Sequence, residues 1–532
     1  MVTPAAIPAA TLRLVERLGE PAAYPHATGP IRRIETHISW VFLTGPFVYK
    51  VKKPLDLGFL DYTSLERRRR FCEEEIRVSG RFAPDLYVAA VPITGTVDEP
   101  RVGGDGPAVE WAVKLVQFDE ADRLDARFDA GRLTAADCER LGVSIAAVEE
   151  GLAVAAAGDL WGSAASVHDA VAINLRQLRD RRPDAAERVA GIEAWLFARL
   201  AELAGVIERR RGQGRVRECH GDLHLGNLVL HAGRMTAFDA IEFSPSLRWI
   251  DVANDVAFLV MDLESRGRSD LAAIVRSSWM EAADDHAAAV VLPVYGVYRA
   301  VVRAAVAALR ADDPPSRAET DRYLALAERL MRPSRPTLFV TSGVSGSGKT
   351  TLAAALVAEA GAVRLRSDVE RKRLAGLRPT DRPTDAAATA ALYDPAMTRR
   401  VYRRLAELAR GLLEADCSVV IDAACLKRWQ RDVLAAVARE AATPLVWLEL
   451  DLPEAVVIDR VTARLAGGGD ASDASPEIVR GQLESREPIT PAELIAGGLA
   501  TRLVKVTGAD RADPGLVSRV IRPTGRATPH AR

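Results

Sequence analysis

The stretch TLFVTSGVSGSGKTTLAAALVAEAG (337–361) leaves the chain few choices of fold. An apolar run, TLFVT, leads into GVSGSGKT, and an alanine- and leucine-rich helical pattern follows. GVSGSGKT (343–350) fits G-x-x-x-x-G-K-[ST] at every fixed position. Its glycines let backbone N–H groups wrap a phosphate at a helix N-terminus, where the helix dipole also favours an anion. The residues that make such a cradle are Gly343, Ser345, Gly346, Ser347, Gly348, Lys349, Thr350 and Thr351. Lys349 reaches the β- and γ-phosphates of a nucleotide, and the Thr350 hydroxyl binds Mg2+. A strand feeding such a loop and then a helix is the opening unit of a parallel α/β sheet.

At 532 residues the chain is too long for one ordinary core, so at least two domains are expected. The break falls at RPSRP, where two prolines end a helical pattern just before the TLFVT strand. Residues 1–332 form one domain, 333–336 a linker and 337–522 a second domain; the polar tail 523–532 is expected to be disordered. Before the break, TDRYLALAERLM reads as a helix capped by Thr320. After it, LFVTS, AVRLR, SVVIDA and PLVWLELD alternate with helical segments, which argues an α/β domain with a parallel sheet.

The first domain opens differently. HISWVFL and FVYKVKK flank Thr44-Gly45-Pro46 as the two strands of a hairpin, and SLERRRRFCEEEIRVSGRFA reads as a helix. YVAAVPIT and EWAVKLVQF return to strands, and beyond about residue 132 the pattern is mostly helical. A β-rich lobe followed by a helical lobe is an α+β arrangement.

Side-chain charge is nearly balanced, with 71 basic and 72 acidic residues, which argues against nucleic acid or a membrane surface as an obligatory partner. Five scattered cysteines form no CxxC pair and suggest neither a disulfide framework nor a structural zinc. The N-terminus lacks a secretory pattern. The most apolar segment, 287–309, is interrupted by Pro293, Arg299 and Arg303 and reads as a buried helix. A cytoplasmic protein without membrane association is expected, and no feature points to a protein partner.

In the first domain, HGDLHLGN (220–227) places Asp222 five residues before Asn227. That is the spacing of a kinase catalytic loop, where the Asp takes the acceptor hydroxyl proton and the Asn holds a magnesium ion. With FDAIEF downstream and a strand lysine upstream, residues 30–330 resemble the aminoglycoside phosphotransferase family, small-molecule kinases of the protein-kinase-like, bilobal architecture. The resemblance implies Asp222 as catalytic base, Asn227 and Asp239 as magnesium ligands, and Lys50 on the α/β-phosphates of ATP. Glu75 is its ion-pair partner on the following helix, with Glu74 one residue off and still open. No Gly-rich loop leads into the first strands, where Thr36 to Ser39 stand. His220 reads as a structural brace, and His224 is open between loop packing and substrate contact. Asp251 and Asp255 share a helix face, either buttressing the loop or, for Asp251, capping the helix. Arg299 and Arg303 read as buried ion-pairing residues or as cleft residues. The arginine-rich stretches between 132 and 215 disfavour a polycationic acceptor.

The second domain resembles the P-loop small-molecule and polynucleotide kinases, a group that includes gluconate kinases, chloramphenicol phosphotransferases and zeta toxins. In RLRSDVERKRLAG, that resemblance implies Asp368 as base toward the acceptor hydroxyl and Arg371 as a clamp on an anionic acceptor group; helix capping at Ser367 or Asp368 is the other reading. Asp422, closing SVVIDA, either holds magnesium through water or caps a turn. Arg460 and Arg464 match lid arginines, with Gly467 to Gly469 as hinge. The whole reads as a bifunctional, ATP- and Mg2+-dependent phosphotransferase acting on hydroxyls of small molecules, one site per domain. The alternatives are a P-loop domain acting on a nucleotide or polynucleotide 5′ end, and a nucleotide-sensing domain that regulates the other.

Overall fold

The computed structural model describes residues 7–58, 60–310, 313–379, 381, 385–467, 475–496, 501–507 and 515–521, the side chains of 386, 464–467 and 496 excepted. The expected tail 523–532, Gly468 and Gly469 of the hinge, and the side chain of Arg464 lie outside this description. The chain divides into two compact units. The first holds residues 1–134, 147–265 and 294–328; the second holds 135–146, 266–293 and 329–532. A single cut at 333–336 therefore does not reproduce these units, because two stretches that precede it, 135–146 and 266–293, pack with the second.

The first unit has the expected α+β order, a β-rich part followed by a helical part. Its sheet comprises β1 (Arg32–Glu35), β2 (Ser39–Leu43), β3 (Phe47–Lys52), β4 (Tyr87–Gly95), β5 (Pro100–Val102) and β6 (Glu110–Val116), in the order β1-β2-β3-β6-β4-β5 and antiparallel throughout. Successive strand residues point to opposite faces. Trp40, Phe42, Tyr49 and Val51 therefore pack on one side with Leu14 and Val15 of the N-terminal helix Ala9–Arg17 and with Leu18 just after it. Val48 and its even-numbered neighbours face Cys72 of helix Leu65–Ser79 on the other side. That parity places Lys50 and Lys52 opposite the same helix. Ser64 caps the helix by accepting the N–H of Arg67 at 3.2 Å.

The helical part carries two small antiparallel ribbons, β7 (Val216–Glu218) with β10 (Trp249–Asp251), and β8 (Leu228–His231) with β9 (Arg234–Ala237). The apolar segment expected to be buried forms helix Leu292–Arg310, long and apolar enough to cross a membrane, with Val294, Tyr295, Val297, Ala300 and Val301 buried in the fold. Thr320 does not cap a helix. The helix runs Pro314–Leu330, starting behind Asp313, whose carboxylate accepts the N–H of Ser316 at 2.8 Å. Thr320 lies within it, its hydroxyl donating to Ser316 O at 2.9 Å. A first-turn proline after an acidic cap explains the earlier start.

The second unit is built on five parallel strands: β11 (Leu338–Ser342), β12 (Val363–Arg366), β13 (Val419–Asp422), β14 (Leu445–Leu450) and β15 (Thr501–Val506), in the order β12-β13-β11-β14-β15. Strand order reverses at β11, so the crevice beyond the carboxyl ends of β11 and β13 is where such a sheet binds ligands. Leu352, Ala353, Leu356 and Val357 of helix Lys349–Ala360 bury one face of the sheet together with Ala273 of helix Ser269–Ala282. That contact is why residues 266–293 belong to this unit. Helix Pro395–Glu414 lies against β12 and β13.

Candidate functional site

In the first unit, Lys50 Nζ lies 3.0 Å from Glu75 Oε1 and also bonds to Asp239. Glu75 is the partner; Glu74 instead pairs with Arg77 and Arg248. Two residues beyond Lys50 on the same strand face, Lys52 donates to the other Glu75 oxygen at 2.7 Å and to Glu242, which also accepts from the Tyr62 hydroxyl. Burial would raise the Glu75 carboxyl, but the two ammonium groups override it and hold it down to about 2. Burial likewise opposes the charge on Lys50, and Asp239 and Glu75 outweigh it, so its pKa is raised. Lys52, Glu242 and Tyr62 join the site without having stood out in the sequence, although the i, i+2 spacing of the two lysines carries the signal.

The catalytic-loop candidate follows β7 and is fixed by carboxylates from helix Val252–Ser265. Asp255 accepts the N–H groups of His220 and Gly221 at 2.8 and 2.9 Å, and Asp262 accepts that of Leu225 at 3.1 Å. Asp255 is thus the buttress. Asp251 takes the other role: it accepts the N–H of Ala253 at 2.9 Å, and Arg210 holds it through two bonds. Arg299 donates to Gly221 O at 3.0 Å and to Asn254 Oδ1 at 2.8 Å, bracing the loop from behind.

His220 is buried, with Nε2 2.9 Å from the Phe238 carbonyl. A carbonyl only accepts, so Nε2 carries the proton and Nδ1 accepts from the Asp222 N–H at 3.3 Å. With the Ile241 N–H donating to His220 O at 3.0 Å, this ties the loop of Asp222 to the loop of Asp239. Asp239 itself sits at φ +63°, a left-handed conformation uncommon outside glycine, and its N–H donates to the Tyr87 hydroxyl at 2.8 Å.

Asn227 donates through Nδ2 to Asp222 Oδ2 and to its carbonyl, both at 3.0 Å, which leaves Oδ1 as the amide's acceptor atom. His224 Nδ1 accepts from the Gly226 N–H at 3.1 Å, so its Nε2 proton faces Asp222 Oδ2 at 3.5 Å. Burial would raise the Asp222 pKa; His224, and beyond it Arg303 and His220, hold it well below the usual carboxylate range. The Asn227 amide oxygen and the half-exposed Asp239 carboxylate are hard oxygen donors that fit magnesium.

In the second unit the candidate residues converge on a cavity of about 600 Å3. Ser345, Gly346, Gly348, Lys349, Thr350, Thr351, Asp368, Arg371, Asp422 and Arg460 all line it. Gly343 and Ser347 do not: the Ser347 side chain is fully buried beneath the loop. A Cβ on Gly343 would stand 2.8 Å from both Ser347 Oγ and Leu450 O, so these two residues shape the loop from below. Gly348 ends it at φ +99°, opening helix Lys349–Ala360. Lys349 Nζ donates to Val344 O at 2.8 Å, and the Ser345 N–H donates to Gln482 Oε1 at 2.8 Å.

Asp422 ends β13 beside Thr350, and burial raises its pKa against the opposing pull of Lys349 and the Thr350 hydroxyl. The Thr350 hydroxyl and the Asp422 carboxylate again make a hard oxygen pair suited to magnesium. Asp368 does not cap its helix, which starts at Ser367 behind Arg366 with no side-chain cap; it stands in the first turn and on the cavity wall. Arg371 is in the wall as well, but its guanidinium donates to Leu392 O at 2.8 Å and Thr398 Oγ1 at 3.2 Å and lies over the Tyr393 ring. It is bound to segment 392–398 and lines the cavity from that position. Arg366, which the sequence reading passed over, lines the cavity with them.

Over 447 residues the chain is 28% identical to an uncharacterized protein of Mycobacterium tuberculosis H37Rv, a match spanning 82% of this chain and 87% of that protein. An uncharacterized protein of Mycobacterium bovis matches to the same extent, at 28%. Among solved structures, a choline/ethanolamine kinase family protein from Mesorhizobium loti covers 60% of this chain and 95% of its own, at 14% identity and a TM-score of 0.37. A gluconokinase from Sinorhizobium meliloti 1021 covers 36% of this chain and 90% of its own, at 22% identity and a TM-score of 0.23. Within the second unit, residues 338–489 match the family model of the AAA domain.

Proposed function

We propose that the chain is an ATP-dependent phosphotransferase with one site in each unit, each passing the γ-phosphoryl group of ATP to a hydroxyl of a small molecule. The observation that carries this reading is the grouping of Lys349, Thr350, Asp422 and Asp368 around a single cavity at the carboxyl edge of a parallel sheet. The bonded set Lys50–Glu75–Asp239 and Asp222–Asn227 supports the same chemistry in the first unit. The five cysteines of the chain are unpaired, which fits a reducing, cytoplasmic setting.

Phosphoryl transfer through a loose transition state asks for positioning and charge neutralisation more than for covalent chemistry. In the first unit Lys50 would bind the α/β-phosphates while Glu75 keeps its ammonium aimed. Asp222, ionised and oriented by Asn227 and His224, would take the acceptor proton as the new O–P bond forms. Magnesium held by Asn227 and Asp239, and by Thr350 and Asp422 in the second unit, would supply charge neutralisation on the phosphates. In the second unit Lys349 would hold the β/γ-phosphates, and Asp368 would accept the acceptor proton across the cavity.

A metabolite screen for ADP formation on the parent protein, Asp222→Asn and Lys349→Ala tests the reading. Acceptor-dependent ADP release that disappears in one variant and persists in the other assigns that acceptor to its unit. ADP release indifferent to every added hydroxyl compound would favour a nucleotide sensor.

A further inference from the structure

Helix Ser269–Ala282 precedes the P-loop strand by more than fifty residues and packs in the second unit. It grips β12 and the helix behind it at several points. Arg276 donates to Gly361 O at 2.6 Å, and Ser277 Oγ accepts the N–H of Arg364 at 3.0 Å. The Arg364 guanidinium is held in turn by Glu139, 2.7 Å away on the other imported stretch, 135–146. In the last turn, Glu281 takes Nε of Arg366 at 2.8 Å and Nη2 of the same guanidinium through its second oxygen. The Glu281 carbonyl accepts from Arg373, on helix Ser367–Leu374. Glu281 is 8% exposed, so this is a desolvated two-point pairing, the strong form of an arginine–carboxylate contact.

The partner of this grip is not an ordinary surface arginine. Arg366 is the last residue of β12, lies in register with Asp422 of β13, and lines the cavity together with Asp422 and Asp368. A mobile guanidinium there would settle on one of those two carboxylates and neutralise it. Anchoring the Nε–Nη2 edge on Glu281 prevents that, and among the described residues Nη1 is left without a protein partner.

We propose that Glu281 is a positioning residue for the second site, fixing Arg366 so that its Nη1 stabilises the phosphoryl group in transit from the Lys349 side to the acceptor. This rests on the phosphotransfer reading of that cavity. In the step itself, the acceptor oxygen bonds to the γ-phosphorus and the bond to the β,γ-bridging oxygen breaks. ADP leaves with that electron pair, and the hydroxyl proton passes to Asp368. In the loose transition state negative charge is spread over the three equatorial oxygens and the departing bridging oxygen, and a preorganised guanidinium counts most there.

The test needs no acceptor. Calorimetry on the full chain compares MgADP with MgADP plus aluminium fluoride, a mimic of the phosphoryl group in flight; binding that Lys349→Ala removes belongs to the second site. In the parent protein aluminium fluoride tightens that binding. Arg366→Ala is expected to cut the tightening by about 10²-fold and Glu281→Gln by about 10-fold, with MgADP affinity held within about 2-fold. Because Glu281 acts through Arg366, Glu281→Gln adds nothing in the Arg366→Ala background. Full tightening in both single variants overturns the proposal, as does equal loss of MgADP and aluminium fluoride binding in Glu281→Gln, which marks a purely structural contact. Should Glu281→Gln fail to fold, Arg366→Lys decides: lysine cannot take the two-point grip, and retained tightening overturns the proposal. If the parent shows no tightening, or Lys349→Ala leaves all nucleotide binding intact, the phosphotransfer reading of the cavity fails first.

Discussion

Lys50 and Lys52, two residues apart on one strand, share the single carboxylate of Glu75: one oxygen lies 3.0 Å from the first ammonium, the other 2.7 Å from the second. The two cations are not equivalent. Lys50 also bonds to the half-exposed Asp239, at the open end of the network, whereas Lys52 is fully buried and turns to Glu242. Lys50 can therefore exchange a protein partner for a phosphate, and Lys52 holds the carboxylate that aims it.

Removing Lys52 should separate these roles. Lys52→Met leaves Glu242 and one oxygen of Glu75 buried with uncompensated charge. A loss of about 3–5 kcal/mol in urea unfolding is expected, the cost of breaking a buried ion pair from one side. ATP affinity at the first site should fall with it, since Glu75 is no longer fixed. Parent-like stability would place the second lysine outside the network.

Asp222→Asn tests the proton acceptor. Turnover of the first unit's acceptor is expected to drop by roughly 10² to 10⁴-fold, the range for a positioned base. MgATP binding should persist, because Lys50, Asn227 and Asp239 are untouched. His224→Ala should have a smaller effect, since its Nε2 orients and stabilises the Asp222 carboxylate without taking the proton. Near-normal turnover in Asp222→Asn removes it from the mechanism.

Much of this was legible in the sequence because it is local. The parity of FVYKVKK, the five-residue gap from Asp222 to Asn227 and the fixed positions of GVSGSGKT each define a geometry within one or two elements. The choice of Glu75 over Glu74 was not local. It depends on which side of helix Leu65–Ser79 faces the sheet, and Arg248 claims Glu74 from 174 residues away. The Arg366–Glu281 pair spans 85 residues within the second unit, so no spacing could announce it. Arg371 shows the opposite failure: its position in the cavity wall was readable, but the carbonyl of Leu392 that binds it was not.

Two nucleotide sites should be visible in one chain. Calorimetric titration with MgATP is expected to resolve two binding events, and Lys349→Ala should erase one. The lysine's point charge on the β/γ-phosphates has no substitute in that loop, so the affected event should weaken by at least about 10²-fold. The remaining event should respond to Lys50→Ala. A single event in the nucleotide-free parent would contradict the assignment of one site to each unit.

Asp368 and Arg371 should part company kinetically. Asp368→Ala is expected to depress kcat of the second site by about 10²-fold or more with little change in acceptor KM. Arg371→Ala releases the carbonyl of Leu392 and the hydroxyl of Thr398, so it should loosen the wall. A rise in acceptor KM together with about 1–3 kcal/mol of lost stability is expected. Loss of KM without loss of stability would instead show the guanidinium serving the acceptor directly.

Acid should weaken the second unit through His286. The residue is 5% exposed and neither ring nitrogen has a hydrogen-bond partner among the described residues, so burial, reinforced by Arg373 and Arg404, pushes its pKa down to about 4 against the pull of Asp284 and Glu281. The folded state accepts the neutral ring, whereas the unfolded chain protonates it near pH 6.5. The unfolded state therefore binds the extra proton first as pH falls. The associated stability is complete above pH 6.5 and is lost between pH 6.5 and 4, amounting to roughly 3 kcal/mol over that window. His286→Phe, which keeps the packing and removes the titration, should flatten this part of the profile in urea unfolding monitored at Trp279. An unchanged slope in that variant would show that another group controls the acid limb.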